Sequence, residues 1–310
     1  MKTLAVGVPA YDAHDDCVFT LRAHAAYGMG DIPAVVKGFL CMKGPNAFCP
    51  CRDCFITGIS MIAADDPGRT EDRRGNQTLY IPTQQPPQYP NALKFDPRNL
   101  PLRTHEQFIR QALAVDQAQT QAQSDELARQ YGINGTPLFS TLHSLSFPDS
   151  FPADFMHLLE NILKNMISFW TNNFKGLGQG NGNFIISEAA WKEIGESTTK
   201  SNASIPSSFG RSLPDIYEDR SYFTAEAYII WFTMHAPILL RQRFGDEKYY
   251  RHLCQLVSLI NLTMSFDLSE QDLKILEEGW IKWYEDYERY ASLLCQLIVV
   301  LKHIQVLLSI

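Results

Sequence analysis

Six prolines between Pro82 and Pro101, at positions 82, 86, 87, 90, 97 and 101, exclude a continuous helix or a central strand from that stretch. Proline lacks an amide donor, and its ring clashes with the preceding helical turn. The run is also polar, from PGRTEDRRGNQ to PTQQPPQYP, so residues 65–104 are expected to form a linker or an insertion. This feature divides the 310-residue chain. Five of the seven cysteines lie before it, and helical periodicity dominates after it.

Behind the prolines, residues 104–131 read as one long, polar, Gln/Ala-rich helix that Gly132 stops. Residues 154–170 are amphipathic: Phe155, Leu158, Leu159, Ile162, Met166, Phe169 and Trp170 recur at three- and four-residue steps. A Gly/Asn-rich loop at 176–183 leads to a short helix around 188–194. Residues 201–221 read as loop, and further helices are expected near 224–244, 247–264 and 269–290. Ahead of the prolines, 17–30 reads as a short strand running into a Gly-rich turn. Pro33 suits the first turn of a helix reaching about Phe39. The expected fold class is mostly α.

Composition narrows the function classes. With 45% hydrophobic and 12% aromatic residues the chain is not a disordered one. A mean hydropathy of -0.17 argues against a polytopic membrane protein. The apolar tail, 291–310, is interrupted by Gln296, Lys302, His303 and Gln305, short of the roughly 20 apolar residues that span a bilayer. No membrane association is expected. The net charge of -7 gives no electrostatic argument for nucleic acid. Residues 1–103 carry 11 bases and 10 acids, leaving 16 against 24 for the rest. The acidic run at 265–290 reads as a solvated helix face. Met1-Lys2 leads into a short apolar stretch broken by Pro9 and Asp12, unlike a secretory leader. A reducing interior, nucleus or cytoplasm, is the expected location.

Four cysteines crowd into fourteen residues: Cys41, Cys49, Cys51 and Cys54. Two thiolates in a CxxC, as at Cys51 and Cys54, can bite one tetrahedral Zn²⁺ at about 2.3 Å. The same pair can also be free buried thiols or a redox couple, and Cys49 offers an alternative ligand at a poorer spacing. With no second pair nearby, the remaining ligands must come from far along the chain. His157 is the natural distant partner. Asp154, three residues earlier, could accept its second N–H, although His157 can equally be a structural histidine, and His252 is a second candidate. Asp31, between strand and helix, can be a metal-binding carboxylate or an N-cap. Glu226 in Thr-Ala-Glu can be an ordinary first-turn acid. Lys175 in FKGLGQGNGN does not have the spacing of a phosphate loop.

The segment GDIPAVVKGFLCMKGPNAFCPCRDCFITGI (30–59) resembles the region around the second catalytic aspartate of CACTA-type (En/Spm-like) DDE transposases of fungal genomes. PLFSTLHSLSFPDSFPADFMHLLENILKNMISFWTNNFKGLGQG (137–180) is similar to their D-x-x-H helix and KGL-x-x-G loop, and 204–232 and 248–257 continue the likeness. The resemblance implies the remnant of an RNase H-like α/β core with a helical zinc-binding insertion. On it, 1–64 is a partial RNase H-like segment, 65–104 the linker or insertion, 105–290 a helical transposase region and 291–310 a divergent tail. Asp31 becomes the second catalytic carboxylate and Glu226 the third, expected to converge on an open cleft. Cys51, Cys54 and His157 become ligands of a structural zinc. Mg²⁺ or Mn²⁺ would serve catalysis in an intact relative, and DNA and transposase self-association are the implied partners. The family's first aspartate lies further upstream than Asp12, Asp15 or Asp16 can reach. The chain is therefore expected to be a catalytically incomplete piece of a cut-and-paste transposase. The alternative is a non-enzymatic, zinc-stabilised helical interaction module.

Overall fold

The computed structural model describes residues 2–44, 47–61, 77–79, 83, 93–173 and 182–292. The divergent tail from 293 on, most of the 65–92 stretch and the FKGLGQG loop lie outside them. The fold is mostly helical, and among the described residues strands are confined to two two-stranded sheets. The chain divides into two compact units, and each is built from two separate stretches. The first comprises Met1–Thr78 and Leu100–Asp154, the second Leu79–Asn99 and Phe155–Ile310. Residues 105–154 of the expected helical region thus group with the N-terminal stretch.

The first unit opens with helix α1 (Lys2–Val6) and the antiparallel strands β1 (Val8–Asp12) and β2 (Cys17–Leu21). The short strand expected at the start of 17–30 is β2, which ends at Leu21. Gly28 then lies against the Phe151 ring, where a Cβ would come within 2.6 Å, and its amide donates to Ser150 O at 2.9 Å. Only glycine fits so close an approach. A π-helical turn, Ala34–Phe39, follows. Short strands β3 (Ile59–Met61) and β4 (Gln77–Leu79) precede α2 (His105–Asp116) and α3 (Gln121–Tyr131).

The expected single helix over 104–131 is therefore two. Thr120 ends the run by accepting from the Gln123 amide at 3.2 Å, an N-cap that competes with continued helix. Asp116 turns away to accept from the Thr136 amide at 2.9 Å. Gly132, at φ +75°, closes α3 as the sequence suggests. The core gathers Val35, Leu40, Met42, Phe108, Ile133, Phe147 and Phe151. The Phe147 ring sits 4.9 Å from Phe151 and 5.8 Å from Phe108.

The second unit contains α4 (Phe155–Trp170), α5 (Glu188–Ser201), α6 (Ala225–Ile230), a π-helical turn (Trp231–His235) and α7 (Ala236–Leu239). The long helices α8 (Glu247–Thr263) and α9 (Glu270–Ser292) complete it. The apolar stripe of α4 is buried as its spacing predicts, and Trp170 stacks on Phe232 at 5.7 Å. Helix α5 runs past the expected end at 194. Thr198 and Ser201 turn their hydroxyls back onto the Ile194 and Thr198 carbonyls, and Trp231 Nε1 donates to Thr198 Oγ1 at 3.0 Å. The expected 224–244 helix passes through the π turn and stops at Leu239.

Helices α8 and α9 meet where Gly279 faces Leu259, with no room for a Cβ. Beside this contact, His252 stacks on Trp283 at 4.7 Å, with the ring planes 3° apart. Its Nε2 bonds the Trp283 carbonyl at 3.0 Å, while Trp283 Nε1 donates to the His252 carbonyl at 3.2 Å. Burial lowers the His252 pKa to about 4, with Asp286 opposing the shift and Lys282 adding to it. The imidazole is therefore neutral at pH 7, and it serves as a structural ring.

A pH test follows from the sign of that shift. The folded value lies below the unfolded value of 6.5, so the unfolded chain binds more protons between them. The stability that neutral His252 contributes is present above pH 6.5 and is lost as pH falls towards 4. The loss should be on the order of 3 kcal/mol. Urea unfolding followed by tryptophan fluorescence at pH 7 and pH 4 measures it. The acid-side loss should shrink by that amount in His252→Phe.

Candidate functional site

The cysteine knuckle runs from Phe48 to Phe55 in the first unit. Its own sequence offers no helix or strand, so its backbone bonds go to neighbours. Phe48 N donates to Arg129 O at 2.9 Å, and Gly58 N returns to Phe48 O at 2.8 Å. On the other side Phe55 N donates to Pro101 O at 2.8 Å and Arg103 N to Asp53 O at 2.9 Å. Cys54 and Leu102 form an isolated antiparallel bridge. The residues directly behind the proline run thus form one wall of the knuckle. Gly132 forms another: at its positive φ, a Cβ would lie 2.0 Å from the Cys49 carbonyl oxygen.

Arg103 fills the middle. It is buried, and its guanidinium donates through Nε to Cys51 O at 3.0 Å. Nη2 donates to Cys49 O at 3.0 Å and to Tyr131 O at 2.8 Å, and Nη1 reaches Gln111 Oε1 at 3.4 Å. The Phe55 ring covers it, 4.5 Å from Cζ to centroid. Burial pulls Arg103 below the usual arginine range, and Cys51, Cys49, Cys54 and Asp53 oppose that pull. The two residues inside the CxxC also pair. Arg52 Nε meets Asp53 Oδ2 at 3.1 Å, and Arg52 Nη1 donates to Pro152 O at 3.2 Å. Burial raises the Asp53 carboxyl, and Arg52 opposes the rise.

Cys51 and Cys54 are both buried and hydrogen-bond to one another. That bond pushes the Cys51 thiol down and the Cys54 thiol up, burial adding to the rise at Cys54. Burial raises Cys49 as well, against the charge of Arg103. Two soft sulfurs held side by side fit zinc as half of a tetrahedral set. Among the described residues, no group of three or more His, Cys, Asp and Glu side chains is arranged to hold a metal.

No family model, curated protein or solved structure matches the chain. The site therefore rests on its own geometry.

The other expected residues take ordinary structural places. Asp31 is exposed and caps the helical residues that start at Ile32 and lead into the π turn, its Oδ1 accepting from Ala34 N at 2.7 Å. Glu226 lies in the first turn of α6, behind the Thr224 N-cap, and pairs with Arg211 at 3.7 Å. The two acids belong to different units, as do the Cys51–Cys54 pair and His157. His157 is exposed in the first turn of α4. His235 bonds Ser201 Oγ through Nε2 at 2.8 Å. That hydroxyl already donates to Thr198 O at 2.6 Å, so it accepts from His235.

Sequence reasoning missed Arg103, Arg52 and Asp53. Arg103 stands between an apolar residue and the Thr104 capping box and carries no motif; only the folded chain shows which carbonyls it serves. Arg103→Met leaves the Cys49, Cys51 and Tyr131 carbonyls without this donor. It should destabilise the first unit by about 3 kcal/mol or more, since each buried unpaired group costs about 1–3 kcal/mol. Native-state alkylation resolved by mass spectrometry should show Cys49, Cys51 and Cys54 reacting faster in the variant. Arg103→Lys should fall between variant and parent.

Proposed function

We propose that this chain is a piece of a CACTA-type DDE transposase whose cysteine knuckle holds two ligands of a structural zinc. The observation that carries the reading is the Cys51–Cys54 pair: buried, in mutual contact and fixed from three sides. On this reading His157 joins the zinc set. Zinc would supply a tetrahedral crosslink of the fold, and the chain's own residues, Arg103 above all, would hold the sulfurs in place. DNA is the implied partner, and Mg²⁺ or Mn²⁺ the catalytic ions of an intact relative.

A second reading is favoured by where the two acids go. Asp31 is spent on a helix cap and Glu226 on Arg211. This suits a non-enzymatic, zinc-stabilised helical interaction module derived from a transposon. Two-metal phosphoryl transfer needs carboxylates that clamp both ions.

One set of measurements tests both readings. The purified chain should contain about one zinc per molecule, and Cys51→Ser with Cys54→Ser should abolish it. Zinc retained in that double variant would end both readings. With either Mg²⁺ or Mn²⁺ the chain should neither nick nor join DNA under both readings. Metal-dependent nicking that Asp31→Asn removes would overturn the catalytic incompleteness and show an intact site.

A further inference from the structure

Strand β2 is an open edge. It pairs with β1 on one side, and among the described residues nothing pairs with the other. All five of its residues, CVFTL, are exposed, with Val18 at 71% and Phe19 at 42%. Exposed edges are usually blunted by a charge, a proline or a bulge. β1 carries Pro9, whereas β2 carries none of these devices.

The register shows which groups of β2 are available. Pro9 stands opposite Thr20. Having no amide, proline suits a position whose nitrogen faces away from the partner strand. The flanking pairs Val8–Leu21 and Ala10–Phe19 then exchange the ladder bonds. It follows that the amides and carbonyls of Val18 and Thr20 face the open side.

The ends of β2 carry opposite charge. Asp12, Asp15 and Asp16 lie at its start and Arg22 just past its end, with no charge between. Antiparallel self-pairing joins unlike ends, whereas parallel pairing would join like ones. We propose that β2 docks on β2 of a second copy of this chain, antiparallel about a two-fold axis at Phe19. A four-stranded sheet results. Val18 then stands opposite Thr20 of the second copy, and both pairs use the outward-facing groups. Cys17 meets Leu21, Phe19 meets Phe19, and Asp15 and Asp16 come beside Arg22. This surface does not depend on the transposase reading.

Sedimentation equilibrium of the full chain from low micromolar to millimolar concentration should show the mass rising towards twice 35.2 kDa. Thr20→Pro leaves the β1–β2 ladder intact, because that amide faces outward. It removes one donor per copy and should weaken association by about tenfold or more. Arg22→Asp should weaken it too, and adding Asp16→Arg should restore it. By NMR, exchange of the Val18 and Thr20 amides should slow as concentration rises, while the Phe19 amide is protected throughout, also in Thr20→Pro. A monomer at every concentration overturns the proposal. So does a dimer whose Val18 and Thr20 amides exchange freely and that Thr20→Pro leaves unchanged.

Discussion

One buried cation, Arg103, organises the first unit. Burying a guanidinium is expensive unless its donors are paired, and Arg103 meets that demand with three main-chain carbonyls, a Gln111 amide oxygen and an aromatic face. The carbonyls belong to Cys49, Cys51 and Tyr131, so one side chain ties the knuckle to the end of α3. An arginine can do this because its planar fork points donors in several fixed directions; a lysine offers a point charge. The position of Gly132 follows from the same crowding. The cysteine side chains are consequently held by the main-chain packing around them, whatever else they bind.

The second unit handles buried polarity in another way. It keeps the buried His252 imidazole neutral and uses it as a ring. His252 lies flat on Trp283, with reciprocal bonds between each side chain and the other's main chain. Glu288, also buried, accepts from the Thr83 amide at 3.0 Å and from Tyr284 OH at 2.5 Å. That places a residue from within the proline run against α9. Arg98 does the same at the surface, its guanidinium meeting Glu278 at 2.5 Å.

Helical periodicity was easy to read because burial imposes it: α4, α8 and α9 lie where their apolar spacing puts them. Local competition was harder. Thr120 could have continued a helix or capped one, and only the packing of Asp116 against Thr136 makes the break necessary. At the site, the CxxC spacing announced a converging pair, and the pair does converge. The partners of that pair were illegible, because Arg103 acts through carbonyl groups, which every residue possesses. The capping alternative for Asp31 and the first-turn alternative for Glu226 were both visible in the local sequence, and those are the roles the fold shows. The resemblance to transposases added ligands and catalytic roles that spacing alone does not supply.

The interleaving of the two units along the chain has a practical consequence for biosynthesis. Leu79–Asn99 belongs to the second unit but leaves the ribosome before Leu100–Asp154, which the first unit still awaits. The knuckle cannot close until Arg103 has emerged, some fifty residues after its cysteines. Neither unit is therefore a continuous stretch that one cut could release. A fragment cloned up to the prolines would lack the wall and the cation that hold its cysteines. One cloned from behind them would begin without the residue that meets Glu288.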